Sequence, residues 1–600
     1  MKQKILKKIY KIFDYYKKNG FIRFVRHIIF KVFHAEEMNY KRWLRKNKLS
    51  KKELDQQRLE NFNFRPLFSI VVPLYRTIPI YLKELVESIQ KQTYGNWELC
   101  LSDGSGKGKL DRSYLEFFID NDPRVKFISS EIPLSISENT NNALGISTGD
   151  FIVFVDHDDI LAPNALYECV KVLNRNPELE IIYTDEDKVS MDGKTYFQPH
   201  FKSDFNLDLL RSMNYICHMF VVKHALQKQV GNLKEEYNGA QDYDFILRCV
   251  EKSEKIYHIP KILYHWRAHK ESTSENPESK LYAFEAGKRA IEAHLDRLKV
   301  SATVEMGEYL GLYRVRYQLK EEPLVSVLIP NRDHMKDLQR CIYSLFEKSN
   351  YKNIEVIIIE NGSESKEIFK YYDYVREKYA RLKVVSCNQG DVFNYSVLNN
   401  YGEKATRGEY ILLLNNDIEF IRKDSIEEMV SCCEREEVGA VGAKLLYPDD
   451  TIQHAGVILG LGGIAGHAFK GLPHEANGYF SRAICMQNYT AVTAACMMLS
   501  KSLFEEVGGF DEKLQVAFND IDLCMKIRQA GKLIVYTPFA QFYHYESKSR
   551  GLEDTEDKVK RFNSEINYFA AKWKKELENG DPYYNNNLTL EKHDFSLKII

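Results

Sequence analysis

The chain carries one sequence plan twice, and this repeat limits its fold more than any bulk property does. Pro66-Leu-Phe-Ser-Ile-Val-Val-Pro73 returns 257 residues later as Pro323-Leu-Val-Ser-Val-Leu-Ile-Pro330. Gly149-Asp-Phe-Ile-Val-Phe-Val-Asp156-His-Asp158 returns at an offset of 259 as Gly408-Glu-Tyr-Ile-Leu-Leu-Leu-Asn415-Asn-Asp417. Gln241-Asp242-Tyr-Asp244 is answered by Asn519-Asp520-Ile-Asp522, and Tyr264-His265 by Tyr543-His544. Four landmarks in the same order mean two homologous domains, and 600 residues suit two units of ~100–250 residues each. The expected divisions are a basic helical segment and linker over 1–64, a first domain over 65–305, a joining strand over 306–322, a second domain over 323–576 and a tail over 577–600.

Within each copy, short apolar runs alternate with helical patterns. Phe68–Pro73, Trp97–Ser102, Val125–Ser129 and Phe151–Val155 read as strands, while Tyr81–Gln92 and Pro163–Asn174 read as helices. Strands separated by helices predict an α/β fold with a mainly parallel sheet. Residues 307–320 alternate like a strand joining the two sheets. The tail, opening at Asp581-Pro-Tyr-Tyr-Asn-Asn-Asn, is aromatic and irregular and is expected to pack on the second domain.

A formal charge of −1 conceals a strong polarity. Through Lys48 there are 15 Lys and Arg against Asp14, Glu36 and Glu37, a net of +12 that leaves −13 for the rest. An acidic body argues against nucleic acid as a partner, and a basic arm points to an anionic surface. Ile5, Ile9, Ile12, Phe13 and Tyr16, then Phe21, Val25, Ile28 and Val32, fall at helical spacing on either side of Asn19-Gly20. Two readings stand: amphipathic helices lying on an anionic membrane, or a helical cap packed on the first domain. The eleven Cys are scattered without C-x-x-C spacing, Cys432-Cys433 reading as half-buried thiols, and no run of ~20 apolar residues occurs. A reduced, cytoplasmic chain, peripheral on the inner face of the membrane, is the expectation.

The chemistry concentrates where strands end. Phe151–Val155 runs into Asp156-His157-Asp158-Asp159. In an open α/β sheet, ligands bind at the carboxyl ends of the strands, so these carboxylates reach the binding edge and suit a divalent cation; an acidic helix cap is the plainer alternative. Asp103-Gly104-Ser105 makes a turn at another strand end, where a carboxylate can accept a ring N–H. Thr184-Asp185-Glu186-Asp187-Lys188 either positions donor or acceptor or is a charged turn. Gln453-His454-Ala-Gly456 and Gly460–Gly466 form a glycine-rich segment without the Walker lysine, read as a flexible loop over acceptor or donor.

Together these motifs resemble the inverting family 2 glycosyltransferases of GT-A fold, over roughly 66–300 and 323–575. Pro73-Leu-Tyr75, Asp103-Gly-Ser and Asp156-x-Asp158 occur in the family's order. The whole chain is most similar to tandem enzymes of bacterial O-antigen, capsule and rhamnan-type polysaccharide synthesis. The resemblance implies two GT-A domains behind an N-terminal amphipathic segment, and a UDP- or dTDP-sugar donor contacted by Pro73, Tyr75, Asp103, Asp156, Asp185 and Lys188 in the first copy. In the second copy, Pro330, Asn361 and Asn415 take that part. It implies Asp242 and Asp520 as catalytic bases, and Mn2+ or Mg2+ held by Asp156, Asp158 and His265, and by Asp417 and His544. The acceptor would be a polysaccharide or lipid-linked glycan. Asn415-Asn416-Asp417 and His544-Tyr-Glu546-Ser547 resemble bacterial rhamnosyltransferases, so the second copy is expected to be active with fewer carboxylates; the alternatives are one catalytic domain with one acceptor-binding domain, or a non-catalytic glycan-binding scaffold.

Overall fold

The computed structural model describes residues 35–111, 113–268, 281–390, 393–546 and 555–598. The amphipathic helices expected over 1–18 and 21–32, and Ser547, lie outside these residues. In the first half the strands are β1 Phe68–Leu74, β2 Trp97–Asp103, β3 Val125–Ser129, β4 Phe151–Phe154, β5 Ile160–Leu161, β6 Ile181–Val189, β7 Tyr196–His200, β8 Phe220–Lys223 and β9 Ile256–Arg267. They form one sheet in the order β3-β2-β1-β4-β8-β6-β9-β5, with β7 on β6. β1 to β4 pair in parallel, as the alternation of strand and helix predicts. β8 departs from that pattern, running antiparallel between β4 and β6. Every residue of β1 and β2 is buried, because both faces of the parallel part are covered.

The second half repeats the plan. Val325–Asn331, Ile354–Glu360, Leu382–Ser386 and Tyr410–Leu414 pair in parallel, and Cys496–Ser500 enters antiparallel beside Tyr410–Leu414. Part of the repeated sequence serves this scaffold. Ser69 Oγ donates to Glu98 at 2.6 Å and accepts from Gly149 N at 2.8 Å; Ser326, Glu355 and Gly408 repeat the contacts at 2.7 and 2.8 Å. A Cβ on either glycine would stand 2.6 Å from a backbone carbonyl, of Leu67 or Leu324, so neither position has room for a side chain.

Several expectations change. Residues 307–320 are not a lone joining strand: Tyr313–Tyr317 folds back antiparallel on Ala302–Met306 as a hairpin. Thr184–Lys188 is not a turn but the continuation of β6, its Asp185, Glu186 and Asp187 buried. The glycine-rich segment forms a hairpin, Val457–Leu459 with Ala465–His467, whose Ile458 is fully buried. Cys432 and Cys433 are buried rather than half-buried, since their helix Ser425–Cys433 lies under the sheet. The tail reaches both halves: Asp581 accepts from Leu459 N at 2.7 Å, while Asn585 donates to Asp185 at 3.0 Å and Asn587 to Pro260 O at 3.0 Å.

The two halves share a core. One hydrophobic cluster runs from Val71 and Ile152 through Tyr313 and Val315 to Val441 and Met498. Across the contact, Asn206 and Asn488 exchange two hydrogen bonds at 2.9 and 3.0 Å, Asn488 also donates to Asp208 at 2.6 Å, and Arg435 pairs with Asp208 at 2.6 Å.

Candidate functional site

The first site sits at the carboxyl ends of β1, β2 and β4. Asp103 ends β2 in register with Leu74 of β1, and its Oδ1 accepts from Ser105 N at 2.9 Å, an Asx turn that fixes the carboxylate at the edge. Pro73 is buried within β1, and Tyr75 just beyond it is 41% exposed. Asp156 follows β4. Because β8 is antiparallel to β4, with Phe220 opposite Phe154, residues just ahead of β8 arrive beside Asp156. His218 comes that way, its Nε2 3.5 Å from Asp156 Oδ2 and its ring stacked on Tyr264 at 4.7 Å.

Asp156, Asp159 and His218 bring one ligand atom each to within 4.8 Å of one another, the one group of three among the described residues. Two carboxylates and an imidazole fit a divalent cation of the manganese type. Asp159 is fully buried, its oxygens accepting from Tyr264 OH at 2.5 Å and Arg267 N at 2.7 Å. Burial first, then the charges of Asp158 and Asp156, raise its carboxyl well above the usual range. A cation would relieve that repulsion.

This cluster is not the expected set. His265 is not among the three; it pairs with Asp187, its partner in the β6 to β9 register, with Nδ1 2.6 Å from Asp187 Oδ1. Asp158 is not among the three either; its backbone carbonyl accepts from Arg267 Nε at 2.6 Å. Asp185 does not face the donor edge: His258 Nε2 at 2.8 Å, Lys202 N at 2.8 Å and Asn585 occupy its oxygens. Lys188 lines a cavity of about 310 Å³ together with Asp242 and Trp266. His218 carried no motif. The signal available was an imidazole one residue ahead of the apolar run Met219–Val222, useful only once that strand is known to be antiparallel.

Asp242 is the second residue of helix Gln241–Val250, and Asn214 donates to its Oδ2 at 2.9 Å. Burial raises its carboxyl above the ordinary range and Asp156 adds to this, while His218 opposes. Its neighbour Asp244 is structural, paired with Arg248 at 2.7 Å.

In the second half, Asp520 takes the matching place in helix Asn519–Gln529 and accepts from Ala494 N at 3.2 Å. Asp522, like Asp244, is structural, held by Lys572 at 2.7 Å and Trp573 at 2.8 Å. Asp417 and His544 do meet, at 3.3 Å, and Asn415 Nδ2 lies 3.4 Å from His544 Nε2. The acidic turn is two residues shorter here: three residues, 415–417, separate Tyr410–Leu414 from Ile418–Phe420, where five, 155–159, separate β4 from β5. Register also puts Ala495, not a histidine, at the place of His218. Glu360, rather than Asn361, stands opposite Asn331 as Asp103 stands opposite Leu74, because the second turn gains a residue. Asn361 accepts from Gln389 N at 3.1 Å. A cavity of about 400 Å³ opens at this edge, lined by Pro330, Asn331, Asn415, Asn416, Lys558 and Arg561.

The model of glycosyl transferase family 2 matches residues 69–231 and 326–508, and the chain belongs to that family, with two units of GT-A type in tandem. An uncharacterized protein of Sinorhizobium fredii, y4gI, is 44% identical over 90% of this chain and 59% of its own length. The O-antigen biosynthesis protein RfbC of Myxococcus xanthus is 34% identical over 93% of this chain and 43% of its own. The chain thus spans about half the length of these relatives. Among solved structures, the mannosyltransferase PcManGT of Pyrobaculum calidifontis, in complex with GDP-Man and Mn2+, is 14% identical with a TM-score of 0.32, covering 49% of this chain and 74% of that one. No described helix is long and apolar enough to cross a membrane.

Proposed function

We propose that this glycosyltransferase is bifunctional and inverting, adding sugars from nucleotide-sugar donors, rhamnose among the candidates, to a growing, lipid-linked bacterial surface polysaccharide. The observation that carries the reading is the matched pair Asp242 and Asp520, each second in a helix beside its own strand-end donor edge. The name of the Myxococcus relative supports a cell-surface glycan as product.

In the first site the Asp242 carboxylate takes the proton of the acceptor hydroxyl as that oxygen bonds to the anomeric carbon. The bond from that carbon to the diphosphate breaks on the opposite face, and the nucleoside diphosphate leaves with the electron pair. Burial that raises the carboxyl makes Asp242 the stronger base. Asp156, Asp159 and His218 would hold the divalent cation, whose charge would offset that of the departing diphosphate. The basic arm through Lys48 is suited to anionic lipid, and flotation of the full chain, but not of a chain lacking residues 1–35, with anionic vesicles is the expected result.

The deciding experiment separates the two additions. Asp242→Asn keeps shape and removes proton acceptance, so it should abolish one sugar addition while donor binding persists; Asp520→Asn should abolish the other. Mixed, the two variants should complement. Near-normal transfer by both sites in either variant would sink the assignment.

A further inference from the structure

The cavity beside Asp242 is not built by the first half alone. Its wall includes Trp266 of β9, Phe284 of helix Leu281–Arg297, Tyr313 of the joining hairpin and Phe480 of the second half, around the polar groups of Asp242 and Asn214. Aromatic rings sharing one cavity with charged and polar side chains suit a pyranose, whose C–H face is apolar and whose rim carries hydroxyls.

Phe480 reaches this wall through an unusual backbone. It and Ser481 take left-handed φ values of 44° and 62°, conformations that bulky residues rarely adopt. The turn is held there from the first half: Tyr479 OH accepts from Phe201 N at 2.8 Å and donates to Pro199 O at 3.1 Å. The Phe480 ring then lies flat on His200, centroids 3.9 Å apart and planes 12° apart, with 37% of the residue still exposed. Backbone strain retained by surrounding contacts, in a part-exposed aromatic that lines the same cavity as Asp242, points to function.

We propose that Phe480, supplied by the second half, is a sugar-stacking wall of the acceptor cleft of the first site, so that the first site binds its glycan completely only within the tandem chain. The inference rests on Asp242 marking an acceptor site. The sugar-ring class follows from the cleft's chemistry, and Phe480 acts by positioning the acceptor.

The test uses the full chain and methyl glycosides of rhamnose, glucose, galactose and N-acetylglucosamine, titrated singly by saturation-transfer NMR. At least one should bind, and Phe480→Ala should weaken it by about tenfold, the loss expected of one aromatic face. Phe480→Trp, which keeps a flat ring, should restore binding, and this separates stacking from loss of fold. Binding of the same glycoside by Phe480→Ala as tightly as by the natural chain overturns the proposal, as does binding of none of the four. Transfer that survives in Asp242→Asn while Phe480→Ala loses glycoside binding removes the base assignment and leaves the cleft standing.

Discussion

A cation at the first site depends on a histidine that no motif announces. Asp156 and Asp159 belong to one acidic turn, but His218 is brought to them by the antiparallel entry of β8, and His265 pairs with Asp187 instead of joining them. The expected consequence is a sharp difference between two histidines. His218→Ala should weaken manganese binding by about 10- to 100-fold or more, since loss of even an outer partner costs that much. His265→Ala should leave it largely intact. Titration of the full chain, followed by electron paramagnetic resonance, reads both. The second site, with Asp417 and His544 but Ala495 in place of the His218 position, should contribute only the weaker binding. Manganese lost with His265 and kept without His218 would reverse the assignment.

At the scale of elements, the repeat proves to be partly scaffold. Ser69, Glu98 and Gly149 tie β1, β2 and the entry to β4 together, and Ser326, Glu355 and Gly408 do the same in the second half. Gly149→Ala or Gly408→Ala forces a methyl against a carbonyl and should cost about 1–3 kcal/mol, read as a lower Tm. Burial of Glu98 would raise its carboxyl, but Lys126, Ser69 and Thr148 outweigh that and hold it down at about 2. A depressed carboxyl stabilises the fold above its unfolded value of ~4.3 and loses that contribution as pH falls toward about 2. Glu98→Gln should therefore flatten the acid limb of stability; an unchanged limb would count against the network. The same residues explain what was readable in the sequence. Apolar runs such as Phe68-Ser-Ile-Val-Val-Pro are buried on both faces and announce themselves, so strands, repeat and family were legible. The antiparallel entry of β8, the inserted residue that puts Glu360 at the place of Asp103, and the hairpin around Tyr313 arise from pairing between distant segments, which local pattern does not encode. Asp185, acidic and adjacent to a strand, looked like a donor contact but anchors the tail through Asn585.

At the scale of the whole chain, two homologous halves need not behave as two molecules. Arg435 is buried, pairs with Asp208 across the contact at 2.6 Å and lies over the Tyr317 ring at 4.6 Å, while Asn488 binds the other oxygen of Asp208. A buried ion pair adds modest net stability when intact, yet removing one partner strands the other charge away from water. Arg435→Leu leaves Asp208 with Asn488 alone, so it should destabilise the chain by about 3–5 kcal/mol. Because one hydrophobic cluster spans both halves, that loss should move a single unfolding transition rather than split it. Urea unfolding followed by tryptophan fluorescence and by circular dichroism checks both points at once. Of the four Trp, Trp97 and Trp266 lie in the first half, Trp43 packs on its Phe201 and Trp573 lies in the second, so coincident curves displaced together are the expected result. Two separate transitions, with that of the first half unmoved, would mean that the halves are independent and that the shared core does not couple them. In that case an isolated first half should fold with the stability it has in the full chain, which a coupled core forbids.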